Sequence, residues 1–151
     1  VTFTATGEPG QELRLMNRRF QLHEEGGDMI EYDFESVPVK GPRNDSARET
    51  FLHGQIYKAR PDVMAVVHAH TAEFVAFGVS SVPLYWGPTK PVPVWDIRPV
   101  NKNRSGIVSS NPLAQSMAEK LGGNEAVLLW GHGVALTGKS LPDSSGQCFV
   151  K

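Results

Sequence analysis

Two histidines separated by one residue, His68 and His70, are the first pair whose type and spacing could do chemistry. In an extended strand, residues two apart point to the same face, so both imidazoles can reach one point. Two neutral imidazoles converging there suit Zn²⁺ or a similar divalent ion; the alternative is a pair of surface histidines at a strand end. His132 is the third candidate. It follows a second apolar run, Ala126 to Trp130, and stands between Gly131 and Gly133, which let the chain turn tightly and bring backbone close to a ligand. Ligands of layered α/β domains gather where strands end, and both histidine-bearing segments come just after strands. Three histidines leave a coordination position open for substrate or water, as a catalytic zinc needs. The competing role for His132 is a turn residue hydrogen-bonded to backbone; taken with His68 and His70, the metal reading is favoured.

Glu49 has two roles open to it. Ser46-Ala47-Arg48-Glu49 has the form of a capping box, in which serine and glutamate each satisfy an orphan amide at a helix start. That role is complete without catalysis, and on local grounds it is the stronger one. The other role is a carboxylate near a metal, acting as general acid/base. His53, four residues on and on the same helical face, is assigned to helix packing or to a position behind the site. His23 lies in a polar stretch and reads as surface. Asp33 and Asp96 could serve as acids, but their spacing singles out neither. The chain shows no phosphate-binding glycine loop and no nucleophilic serine or cysteine in a known setting.

The elements that must position these residues are legible from residue 45 onward. Leu52, Ile56 and Ala59, with Phe51 beside them, form an apolar stripe at helical spacing that Pro61 closes. Val63 to Val67 is a short continuous apolar run, as expected of a strand buried on both faces, and it leads into His68. A second helix is expected from near Thr71 to about Gly78. Residues 81 to 99 hold five prolines and predict an edge strand or extended loop. Asn111-Pro112 opens a third helix, with asparagine as N-cap and proline at its first position, and Gly122-Gly123 ends it. Ala126 to Trp130 is a second buried strand, followed by a short one near Val134 to Thr137. Met29 to Phe34 predicts a strand with Ile30, Tyr32 and Phe34 on one face, while residues 1 to 27 show little periodicity. Strands alternating with helices imply an α/β layered domain.

Composition narrows the field. The chain has 151 residues, 15 Lys+Arg against 16 Asp+Glu, 40% hydrophobic and 21% charged residues. Such a length suits one domain with a real core, and the balance excludes wholesale disorder. A formal net charge of -1 argues against phosphate neutralisation, so no nucleic-acid partner is expected. One cysteine, Cys148, excludes an internal disulfide framework and fits a reducing compartment. No apolar run is long enough for a bilayer and no signal peptide opens the chain. The expectation is a cytoplasmic, membrane-free protein.

The order of motifs resembles the class II aldolase/adducin family. It is carried by Glu49-Thr50-Phe51-Leu52-His53-Gly54-Gln55-Ile56-Tyr57, Arg60-Pro61-Asp62-Val63, Ala65-Val66-Val67-His68-Ala69-His70, and Ala126-Val127-Leu128-Leu129 with Gly131-His132-Gly133 and Gly138. The motif-bearing core runs over about residues 28–140 of a single domain spanning 1–151. The resemblance implies Zn²⁺, or another divalent ion such as Mn²⁺ or Co²⁺, held by His68, His70 and His132. It implies that Glu49 is the catalytic acid/base and a fourth ligand in the absence of substrate. The implied fold is a three-layer α/β/α sandwich with a largely antiparallel central sheet, and the implied assembly is a homotetramer with active sites between subunits. The implied activity is carbon–carbon bond cleavage of a small molecule, a sugar phosphate or a hydroxy or aromatic acid, by retro-aldol cleavage or decarboxylation through a metal-stabilised enolate. Residues 93–98, Pro-Val-Trp-Asp-Ile-Arg, are similar to the decarboxylase-type members. Two other readings stand beside it: a non-catalytic adducin-like interaction module, and an inactive metal-binding fragment. The family's opening helix and glycine-containing segment are not visible, and Pro142 to Lys151 reads as a Ser/Gly-containing tail where the family continues into a long helix. The chain is thus expected to be truncated at both ends relative to that family.

Overall fold

Three apolar runs, too short for helices and rich in Val, Leu and Ala, make the centre of the protein. In a computed structural model, which describes residues 2–6, 13–16, 29–40, 49–86, 90–101 and 106–146, they are β5 (Ala65–Ala69), β9 (Ala126–Leu129) and β10 (Gly133–Gly138). Before them come β1 (Thr2–Thr6), β2 (Leu13–Met16), β3 (Met29–Tyr32), β4 (Pro38–Lys40) and helix α1 (Thr50–Ala59). Between β5 and β9 lie α2 (Ala72–Val79), β6 (Tyr85–Trp86), β7 (Lys90–Pro91), β8 (Val94–Trp95) and α3 (Asn111–Leu121); α4 (Leu141–Gly146) follows β10. Eight strands form one sheet in the order β4-β3-β2-β1-β5-β10-β9-β8, and β6 and β7 form a separate hairpin.

Alternation along the central strands explains why both faces need covering. Val66, Val127, Leu129 and Ala135 pack with Leu52 and Ile56 of α1 and Met117 and Leu121 of α3. Their neighbours Val67, Ala69, Leu128, Val134 and Leu136 point the other way and pack with Phe74 of α2. Burying a side chain of this size is worth roughly 1.5–3 kcal/mol, so neither face could be left to solvent. The continuous apolar runs are the consequence.

The sheet is mixed, which corrects the largely antiparallel expectation. β8 pairs in parallel with β9, Val94 opposite Leu128 and Trp95 opposite Leu129, while the other pairings are antiparallel. The reason is the connection: α3 lies between β8 and β9, and a helical crossover returns the chain to the end where β8 began. The proline-rich segment behaves as expected, supplying an edge strand and a hairpin.

Four local expectations are revised. The helix expected to start with a capping box at Ser46 starts at Thr50, with Glu49 itself at the N-cap and no side-chain cap bond; Ser46 lies outside the described residues. β3 stops at Tyr32, because Asp33 Oδ1 accepts the amides of Glu35 and Val37 and turns the chain. Phe34 is left exposed rather than sharing the Tyr32 face. Helix α3 begins one residue early, with Ser110 at the N-cap and Pro112 inside the first turn. The segment after Leu141, read as tail, forms the six-residue α4, where the Ser140 hydroxyl accepts the Asp143 amide and residues 147–151 lie outside the described set. Among the described residues no helix is long and apolar enough to cross a membrane.

Candidate metal centre

His68 is the penultimate residue of β5 and His70 lies just past its end, so the two-residue period sends both side chains to one face. β10 runs antiparallel beside β5 with Val134 opposite Ala69, which brings the β9–β10 turn and His132 alongside. The close approach needs Gly133: a Cβ there would collide with the Ala69 carbonyl oxygen and lie 2.9 Å from His70 Cδ2. Gly131, at φ +61°, makes the turn itself. Glu49 arrives from the other direction, at the start of α1.

The four side chains converge. Glu49 Oε2 lies 3.1 Å from His68 Nε2, 3.6 Å from His70 Nε2 and 3.4 Å from His132 Nε2. His70 Nε2 is 2.7 Å from His68 Nε2. Each of the four residues offers a ligand atom within 4.8 Å of the others. Donors held about 2.0–2.1 Å from one tetrahedral ion sit roughly 3.3 Å apart, so these separations bracket what one ion would impose. Three imidazole nitrogens and one carboxylate oxygen are a donor set for zinc and its divalent neighbours. The residues fit such an ion.

Surrounding groups orient the donors. His68 Nδ1 is 2.9 Å from the Val134 carbonyl, which can only accept, so the proton sits on Nδ1 and Nε2 keeps the lone pair in the neutral ring. Glu49 Oε1 accepts the Val108 amide at 3.1 Å, leaving Oε2 for the histidines. His132 Nδ1 is buried without a hydrogen-bond partner among the described residues, so only its Nε2 side is engaged. Burial opposes charge on Glu49, yet wherever the His132 and His68 rings carry a proton on Nε2 in place of a metal, their hydrogen bonds and then their charge outweigh it and hold the carboxyl well below the usual range. His70 is pushed down to about 4, first by burial and then by His68 and His132.

Of the sequence candidates, Glu49, His68, His70 and His132 come together. Asp33 is used in its own turn, and Asp96 forms a two-point ion pair with Arg98. His23 lies outside the described residues. His53 is fully buried beneath the site, its pKa lowered to about 3 by burial and then by His68, against a smaller pull upward from Glu49. The folded state therefore disfavours its proton, while the unfolded chain takes one up near pH 6.5. Stability present above that pH is lost as the pH falls from 6.5 towards 3; Glu49 adds a loss of the same sign at the acid end. The melting temperature, measured in chelator from about pH 7 down to pH 4, is expected to fall, and His53→Gln to shallow the slope by up to about one proton. An unchanged slope in that variant would leave the acid lability to His70 and Glu49.

Sequence reasoning passed over Val108, whose amide holds Glu49, and the cleft beside His132 lined by Ile97, Arg98, Ile107 and Trp130. The only signal was the cluster of aromatic and charged residues near position 95.

A mixed sheet with α1 and α3 packed on one face and α2 on the other carries a three-histidine, one-carboxylate cluster at its strand ends. The fold recurs in L-fuculose 1-phosphate aldolase, with a TM-score of 0.75 over 96% of this chain and 68% of that chain at 21% identity, a likeness of fold. The chain belongs to the Class II Aldolase and Adducin N-terminal domain family, whose profile matches residues 18–150. It is 31% identical over 124 residues to Decarboxylase NovR of Streptomyces niveus, covering 82% of this chain and 46% of that one. It is equally similar, 31% over 124 residues and 82% of this chain, to a 4-hydroxy-3-prenylphenylpyruvate oxygenase/4-hydroxy-3-prenylbenzoate synthase of Streptomyces roseochromogenus subsp. oscitans, of which it covers 44%. The chain thus spans less than half the length of these two curated relatives.

Proposed function

We propose that this protein is a divalent-metal-dependent carbon–carbon lyase, with Zn²⁺, Mn²⁺ or Co²⁺ held by His68, His70, His132 and Glu49. The observation that carries the reading is the convergence of three imidazole Nε2 atoms on one oxygen of a half-buried carboxylate. When bound, the ion is a Lewis acid that draws electron density from a substrate oxygen and so steadies the electron pair left when a carbon–carbon bond breaks. The chain does the rest. His68, fixed by the Val134 carbonyl, and His132, fixed by the Gly131–Gly133 turn, hold their lone pairs in place. Glu49, anchored at Oε1 by Val108, is left with Oε2 to move a proton. In retro-aldol cleavage Oε2 takes the proton of the hydroxyl that becomes the new carbonyl, and returns one to the carbon that keeps the electron pair. In decarboxylation Oε2 takes a proton from a substrate hydroxyl or from water, carbon dioxide leaves, and the same atom delivers that proton to the carbon it left. The decarboxylase name of one relative favours the second reaction.

The test is metal-dependent turnover. Metal-loaded protein is assayed for carbon dioxide release from hydroxy acids and for aldehyde release from sugar phosphates, before and after chelation. Activity that chelator abolishes and added metal restores is expected. A protein that carries stoichiometric metal yet turns over neither panel would favour a binding module of the adducin kind.

A further inference from the structure

Helix α2 leaves β5 directly after His70, and its far end meets the turn that carries His132. At its start the Thr71 hydroxyl accepts the Phe74 amide. From there the helix packs across β10 and β9. Two strand spacings are about 9.5 Å and eight helical residues rise about 12 Å, so α2 has the length to run from the end of β5 to the end of β9. Its buried residues are Phe74 and Gly78, four apart and therefore on one face. The phenyl ring of Phe74 is anchored among Val67, Ala69, Leu128 and Val134. One turn on, Gly78 brings bare backbone to the end of β9.

Glycine weakens a helix relative to alanine, and Gly78 lies inside α2 without the positive φ that a chain reversal would ask of it. What it supplies is closeness. A Cβ at Gly78 would stand 3.0 Å from the Leu129 carbonyl oxygen and 3.5 Å from the Gly131 amide nitrogen. The same Leu129 oxygen accepts the His132 amide at 3.0 Å, the bond that closes the β9–β10 turn. Val79, the next residue of α2, reaches the turn as well, with Cγ1 3.4 Å from the place of a Cβ on Gly131. The end of α2 is thus the seat of the turn. A methyl group at position 78 has to push the Leu129 carbonyl by a few tenths of an ångström, and the His132 amide bonded to it moves too. His68 is oriented by the Val134 carbonyl and Glu49 by the Val108 amide, whereas His132 is carried to its place by this turn.

We propose that Gly78 is a positioning residue for His132: its missing side chain lets α2 seat the Leu129 carbonyl where the His132 amide, and so the third imidazole, meets the other donors. The proposal rests on the reading of the four side chains as a metal centre, and its test reads the two apart. Gly78→Ala is compared with Ala76→Gly, which weakens the same helix on its exposed face and leaves the contact alone. Alanine is the better helix former, so Gly78→Ala keeps α2. Each protein is titrated with Co²⁺, whose visible bands report the ligand geometry, and hydrogen exchange of the His132 amide is measured in chelator. In Gly78→Ala the Co²⁺ affinity is expected to fall about tenfold with altered bands, the low end of what losing a group that orients a ligand costs. The His132 amide is expected to exchange at least about threefold faster. In a His132→Ala background, titrated with excess Co²⁺, the Gly78→Ala penalty is expected to shrink below about twofold, because the imidazole it acts through is gone. Parent-like affinity and bands in Gly78→Ala, an equal loss in Ala76→Gly, or an undiminished penalty in the His132→Ala background overturns the proposal. A parent protein that binds no Co²⁺ removes the metal reading. Faster exchange at His132 in Gly78→Ala then still upholds Gly78 as the residue that seats His132, and parent-like exchange overturns both.

Discussion

His68→Ala and His132→Ala are each expected to leave the purified protein with less than about a tenth of an equivalent of divalent metal after dialysis. Loss of a contact that merely orients a ligand already weakens metal binding about 10–100-fold, and loss of the ligand itself does more. His68 carries the larger effect. It is almost fully buried, it is bonded at Nδ1 to Val134, and its Nε2 lies within hydrogen-bond distance of both His70 and Glu49. Alanine there removes a donor and leaves the Val134 carbonyl without its imidazole partner, so melting is measured alongside metal content. His132→Ala separates folding from binding, because its Nδ1 has no partner to lose among the described residues and its ring is held at a turn. His70 is about half exposed, so His70→Ala is expected to retain more metal than either. Full metal content in both His68→Ala and His132→Ala would remove the basis of the lyase reading.

Glu49→Gln is expected to lower kcat by about 10²–10⁴-fold at saturating metal, the usual worth of a positioned acid/base. Glutamine has nearly the same shape, and its carbonyl oxygen can still accept the Val108 amide at 3.1 Å. What it cannot do is carry a proton at the second oxygen. Three histidine ligands remain, so metal is retained once the protein is saturated with it. The informative outcome is therefore a large fall in kcat with metal and melting temperature close to those of the parent. If turnover persists and only the melting temperature drops, Glu49 does no more than start the helix.

The contrast at Glu49 shows where local reading runs out. Ser46 and Glu49 have capping-box spacing, and nothing nearby in sequence argues otherwise. In the folded protein Glu49 stands at the N-cap without a cap bond, and its carboxylate turns to residues far along the chain. Met29 to Phe34 fails in the same way: alternation continues through Phe34, but the Asp33 side chain captures two amides and ends the strand at Tyr32. β1 and β2 lie in a stretch with little periodicity and are defined by their partners, β1 pairing with β5 itself.

By itself, the sequence determined what depends on neighbours along the chain. The apolar runs specify strands buried on both faces, because each residue of β5, β9 and β10 must find cover on one side or the other. The two-residue period puts His68 and His70 on one face before any tertiary contact forms. The motif order points to Glu49 and His132 as their companions. Only the tertiary structure decided that these donors meet, since that requires β10 beside β5, a glycine where the Ala69 carbonyl comes close, and α1 beginning at Glu49. It alone decided the cleft, because Trp130, Arg98 and Ile107 come from three separate segments whose proximity is set by packing and not by periodicity.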